Sequence, residues 1–225
     1  TKRKAATAQQ TAAAAAAPRH EERGCGAPRP ACVLGWREVC MVEFPLEKLQ
    51  DLIGYQFRNP QLLLEALTHS SYAQEVSEGV RDNEQLEFLG DAVLNFLVSV
   101  RLAGTFPDYE EGQLSRARAR LVAAEHLGKV AARLELGEYL RLGRGEEKTG
   151  GRAKSTLLVN ALEALVAALH RDGGLEAAQR FVEQFVLPAD LAANAEELFS
   201  IDYKSALQEY LQAARFASAE YCVVD

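Results

Sequence analysis

Long apolar runs are missing from this 225-residue chain. None approaches the roughly 20 residues an α-helix needs to cross a bilayer, so a membrane-spanning reading fails. Cysteine is scarce: Cys25, Cys32, Cys40 and Cys222 form no CxxC pair. A zinc site built from His20 and the first three would need loose spacings. Free thiols in a reducing cytoplasm are the better reading. Methionine occurs once, at Met41. No convincing β alternation appears before residue 220, which leaves an all-α body. Positive charge is short where most of the chain lies. Residues 1–40 carry a net +4 and residues 41–225 a net −11. An acidic body ordinarily repels nucleic acid, yet it suits a protein that holds divalent cations, which neutralise charge locally.

What is present is ordinary for a soluble globular protein: 48% apolar and 25% charged residues. That is enough for one compact domain plus extensions. Residues 1–40 stand apart, first Ala/Thr/Lys-rich and then Gly/Pro-rich without a period. They are expected to be a disordered or spurious extension, with translation beginning at Met41. A targeting peptide is the alternative, but the segment lacks an apolar core with a cleavage site.

From Leu46 the helical period takes over. LEKLQDLIGYQF reads as a short helix. NPQLLLEALTHSSY follows, with Asn59 as N-cap and Pro60 at the first helical position. A helix runs from about Asn83 to Arg101. EEGQLSRARARLVAAEHLGKVAARL makes one bent helix or two in tandem. LGRGEEKTGGRA, with four glycines in twelve residues, reads as a loop. KSTLLVNALEALVAALHRDGG is an apolar helix stopped by Gly173 and Gly174, and LEAAQRFVEQFVLP another, ended by Pro188. Residues 189–200 read as a linker. DYKSALQEYLQ opens a new helix, and Glu220–Val224 a first strand.

Two of these apolar helices carry acids. At 3.6 residues per turn, Glu84, Glu87 and Asp91 sit at roughly 0°, 300° and 340° on one face. Asn160 and Glu163 repeat the device in LLVNALEALVAAL. Burying an unpaired carboxylate costs several kcal/mol, and clustered carboxylates raise one another's pKa. Neither apolar segment contains a Lys or Arg. A divalent cation would balance the charge, and an all-oxygen donor set favours magnesium or manganese over zinc. By spacing alone, acids at i, i+3 and i+7 more often form a solvated face, and both readings stay open. A di-iron bundle would want Glu-x-x-His, but Val166 stands three residues after Glu163.

NEQLEFLGDAVL resembles the signature stretch of ribonuclease III, with Gln85 where Arg is usual. EALTHSSYAQE, FPDYEEGQLSRARARLV and LLVNALEALVAALHRDGG follow in that family's order and spacing. Together they cover about residues 44–188. DYKSALQEYLQ resembles the opening helix of the family's double-stranded-RNA-binding domain, truncated here at 201–225. The resemblance implies an all-α endonuclease domain followed by the start of an α+β RNA-binding domain. It implies a homodimer that cuts double-stranded RNA to 5′-phosphate and 3′-hydroxyl ends, with Mg2+ as cofactor and Mn2+ as a substitute. It implies that Glu87, Asp91 and Glu163 hold the metal, with Asp91 and Glu163 catalytic. Glu84 and Glu111 match auxiliary acids of the cleavage site, and Phe88 matches a dimer contact. Gln208 and Gln212 match positions that touch the RNA minor groove.

One position departs: Asn160 stands where the family usually has Asp. Its amide oxygen still ligates a hard cation but brings no charge, so a weaker metal site is expected. Phosphate contacts are sought among Arg116, Arg118 and Arg120 and among Arg144, Lys148, Arg152 and Lys154, with Arg116 and Lys154 the leading candidates and Arg118 read as structural. His69, His126 and His170 are read as structural too. The expected protein is cytoplasmic and processes ribosomal and other structured RNA precursors. A non-cleaving double-stranded-RNA-binding protein of the same fold is the alternative.

Overall fold

The computed structural model describes residues 46–76 and 79–200, together with Leu211 and Ala214. The expectations for residues 1–40, the four cysteines, Gln208, Gln212 and the strand at 220–224 lie outside the described residues.

The described chain is helical throughout. In order come α1 (Leu46–Ile53), α2 (Pro60–Ala66), α3 (Ser70–Glu75), α4 (Glu84–Thr105) and α5 (Glu111–Leu121). They are followed by α6 (Ala124–Arg133), α7 (Leu136–Tyr139), α8 (Arg144–Lys148), α9 (Ser155–Phe181) and α10 (Ala195–Leu198). No β-strand occurs among the described residues; a single parallel bridge joins Thr68 to Arg141.

Local chemistry sets most of these boundaries. Asn59 caps α2 by accepting the Gln61 N–H at 3.2 Å, and Pro60 needs no partner at the first position. The helix α1 stops at Gly54, whose φ of 67° suits glycine. Glu110 and Gln113 form a capping box at the start of α5. The tandem alternative for residues 110–134 is the one adopted, since Val122 and Ala123 separate α5 from α6. Gly174, with φ 76° and ψ −177°, breaks α9 into two helical stretches. The second passes through a π turn at Val182–Val186 and ends before Leu187, which is extended as the residue before a proline should be.

The core is built around α9. From Leu158 to Leu169 nearly every side chain is buried, packed by α4, α6 and α2. Burying each leucine fully stabilises the fold by about 1.5–3 kcal/mol. The helix α4 is different. Its buried stripe is Leu86, Gly90, Val93, Leu94, Leu97, Val98 and Leu102, recurring every three to four residues. The opposite face leaves Phe88 81%, Phe96 52% and Val100 53% exposed. The start of α4 is fastened to the loop after α2. Buried Asn83 donates its N–H to the Thr68 carbonyl at 2.9 Å and its amide to the Ala66 carbonyl at 3.2 Å.

One expectation needs correction. The glycine-rich stretch 142–153 is not a loop throughout: it folds into α8 and a 3-10 turn at Gly151–Ala153. Two of its four glycines serve close approach. A Cβ on Gly143 would lie 2.6 Å from the Ser71 carbonyl oxygen, and one on Gly151 2.8 Å from that of Glu146. Residues 189–200, read as a linker, pack on the helical body. Leu191 and Leu198 are buried, and Phe199 packs against Phe106 and Tyr109, with ring centroids 4.9 and 4.2 Å apart. Arg120 holds this segment by donating to the carbonyls of Leu198 at 2.9 Å and Ser200 at 2.6 Å.

Candidate active site

The site lies where α4 and α9 touch backbone to backbone. A Cβ on Gly90 would stand 1.8 Å from the Glu163 carbonyl oxygen and 2.4 Å from its carbon. Only glycine permits that approach. Glycine in a helix interior costs about 1 kcal/mol relative to alanine, so its presence between Glu87 and Asp91 signals the contact. The close approach sets Glu163 opposite both acids of α4.

The electrostatics follow from this placement. Burial pushes the Glu163 carboxyl up to about 7, and the negative charges of Asp91 and Glu87 push the same way. Burial also raises Glu87, with Glu84 adding to it. A hydrogen bond from the Asn160 side chain, and the His69 ring nearby, work in the opposite direction. Asn160 thus meets Glu87 directly, as its helical position suggests. Asp91 is held by Asn95, whose amide donates to Asp91 Oδ1 at 2.8 Å and to its carbonyl at 2.9 Å. The premise that α4 buries its acids is corrected in part: Glu84 and Asp91 are exposed and Glu87 half-buried, so they face an open surface beside the core.

Among the described residues no three Asp, Glu, His or Cys side chains stand in a chelating array. The donor chemistry nevertheless fits a hard divalent cation. Glu87, Asp91, Glu163 and the Asn160 amide offer only oxygen to a metal, and among the described residues no Lys or Arg forms an ion pair with the three carboxylates. Glu84 reaches the group through its effect on Glu87. Glu111 opens α5 and accepts the Ser115 hydroxyl at 2.8 Å; no described interaction joins it to the others.

The basic candidates separate. Arg116 is exposed and makes no ion pair among the described residues. Lys154 is engaged by Glu146 and by the Thr149 hydroxyl at 3.0 Å. Arg152 is held by Glu147 at 2.7 Å and by the Gly137 carbonyl at 2.7 Å. Arg118 donates to the Ser99 hydroxyl at 3.0 Å and Arg120 to the tail, so both serve the fold. Arg144 and Lys148 are exposed. His69 caps α3, its Nδ1 accepting the Ser71 N–H at 3.2 Å, and a ring nitrogen of His126 lies 2.7 Å from the Val186 carbonyl. His170 Nδ1 is buried without a hydrogen-bond partner among the described residues.

Known proteins resemble this chain. The ribonuclease-III-like family profile matches residues 59–190. Ribonuclease 3 of Solibacter usitatus is 50% identical over 187 residues, spanning 78% of this chain and 69% of its own. Ribonuclease 3 of Geobacter sulfurreducens is 46% identical over 180 residues, spanning 80% and 72%. The nuclease domain of ribonuclease III from Campylobacter jejuni, solved in a study of a flexible region involved in dimer formation, superposes with a TM-score of 0.59 at 36% identity. That superposition covers 69% of this chain and 99% of the other. The fold and these similarities define an all-α nuclease domain. The chain belongs to the ribonuclease III family.

Proposed function

We propose that this chain is a metal-dependent endoribonuclease that hydrolyses phosphodiester bonds of double-stranded RNA to 5′-phosphate and 3′-hydroxyl ends. The observation that carries this is the meeting of α4 and α9 at Gly90, which sets Glu163 against Asp91 and Glu87, with no Lys or Arg paired to them among the described residues. Glu87, Asp91, Asn160 and Glu163 are the residues that would hold Mg2+, with Mn2+ able to replace it. A divalent cation bound there would polarise an attacking water and offset charge on the phosphodiester and the departing 3′-oxygen. The carboxylates would hold the cation, and one of them not engaged by it would accept the proton that the water loses. Glu84 and Glu111 lie at the margin of the cleavage site.

Double-stranded RNA is read by shape and phosphate contact, since side chains cannot enter its deep groove. Arg116, exposed and without an ion pair among the described residues, is the leading basic candidate, and Gln208 and Gln212 are minor-groove candidates. Lys154 contacts RNA only after leaving Glu146. The exposed Phe88 supports pairing of α4 with a second copy, giving a homodimer that presents two sites. The reading places the enzyme in the cytoplasm, processing ribosomal, transfer and messenger RNA precursors. Among the described residues no helix is long and apolar enough to cross a membrane.

Asn160 favours one second reading, a double-stranded-RNA-binding protein that does not cut. The purified chain incubated with long duplex RNA and a magnesium titration separates the two. Discrete fragments with 5′-phosphates support the enzyme. Binding without products, converted to cleavage by Asn160→Asp, supports the alternative.

A further inference from the structure

Asp91 is the most exposed of the three acids proposed as metal ligands, so its carboxylate gains no orientation from packing. An exposed aspartate ordinarily samples several rotamers, and each ordering step costs entropy. Here the restraint comes from a neighbour one helical turn on. The Asn95 amide nitrogen donates to Asp91 Oδ1 at 2.8 Å and to the Asp91 carbonyl at 2.9 Å. Two bonds from one planar group fix the amide as well as the carboxylate it holds. Among the described residues nothing bonds Asp91 Oδ2, which leaves that oxygen for a ligand. Asn95 is itself supported. Its carbonyl accepts the Ser99 hydroxyl at 2.7 Å, and Ser99 in turn accepts from Arg118 of α5 at 3.0 Å.

We propose that Asn95 is a positioning residue for the metal site: it holds Asp91 Oδ1 and presents Oδ2 to the cation. Groups that orient ligands from outside the coordination sphere change metal affinity by about 10–100-fold. A neutral amide also does this without adding charge to an already acidic cluster. The inference rests on the metal-assisted reading above.

The test measures Mn2+ binding to the purified chain by the loss of the free-ion electron paramagnetic resonance signal, beside thermal unfolding. Asn95→Leu removes both amide bonds. Asn95→Ser retains only the main-chain bond, because a serine hydroxyl turns back to the i−4 carbonyl. Both variants should bind Mn2+ about tenfold more weakly, and the metal concentration giving half-maximal duplex cleavage should rise alike. The rate at saturating metal should return to within about twofold of the parent, as expected for a lost orientation rather than a lost ligand. Should Asn95→Leu fail to fold, Asn95→Ser decides alone. Unchanged Mn2+ affinity in folded Asn95→Ser overturns the proposal while leaving the metal reading intact. A parent chain that cleaves RNA yet binds no Mn2+ or Mg2+ overturns both.

Discussion

Two acids on the same helix, Glu163 and Asp172, have opposite fates. Burial raises both carboxyls, but Asp172 ends below its ordinary value because the backbone N–H groups of Arg58 and Asn59 and the Tyr55 hydroxyl donate to it, at 2.8, 2.9 and 2.8 Å. Glu163, nine residues earlier, receives no such donor among the described residues and faces two more acids. Asp172 is a structural acid: it ties α9 to the entry of α2 and its charge is satisfied. Glu163 faces the charges of Asp91 and Glu87, and it is balanced either by keeping its proton or by a cation from outside the chain. The difference teaches that donors decide whether a desolvated carboxyl falls below or rises above its ordinary value.

Substitutions at and around these positions can break that contrast. The largest effect should come from Gly90→Ala, which drives a methyl into the Glu163 backbone. We expect a loss of about 3 kcal/mol, the upper end for overpacking, read by urea unfolding, together with loss of cleavage. A variant as stable and active as the parent would show that the helices do not need this contact.

Glu163→Gln should lower cleavage of duplex RNA by at least about 100-fold, beyond the usual range for outer partners. Its effect on stability has a defined sign. A carboxyl raised from 4.5 to about 7 favours the folded state below pH 4.5 and loses that advantage as pH rises through about 7. In EDTA the parent should therefore weaken across that window more than the variant, in which only the smaller contribution of Glu87 remains, making the variant the more stable at pH 8. A pH-independent difference would refute the assigned cause.

Asp172→Asn should do the reverse. A lowered carboxyl contributes stability above its ordinary 3.8 that is lost as pH falls through the folded value. The variant should lose about 2 kcal/mol at pH 7, the worth of a charged hydrogen bond, and the deficit should shrink in acid. Cleavage by whatever remains folded should persist. The smallest effect is expected from Asn160→Asp. An added charge beside Glu87 should strengthen metal binding by up to about tenfold, one pKa unit of interaction, measured as a fall in the magnesium needed for half-maximal cleavage.

Much of this was legible in the residues. Asn59-Pro60 announced α2, the apolar period announced α4 and α9, and Gly173-Gly174 announced the break in α9. The pairing of Asn160 with Glu163 among apolar neighbours pointed to one face. Other features were not legible, because their cause lies in a distant segment. Nothing near residue 143 says that its missing side chain makes room for the Ser71 carbonyl. Nothing in residues 189–200 says that Phe199 will find Phe106 and Tyr109. Lys154 reads as a free cation until α8 folds and brings Glu146 to it.

Helix positions and the angular placement of each acid follow from local rules: side-chain period, caps, and the freedom of glycine. These depend on neighbours within about one turn, so the chain carries them in its own order of residues. Which acids become partners, which find donors, and which charge is left unbalanced depend on where two backbones meet. That was decided only by packing, because field and burial act through space and take no account of separation along the chain.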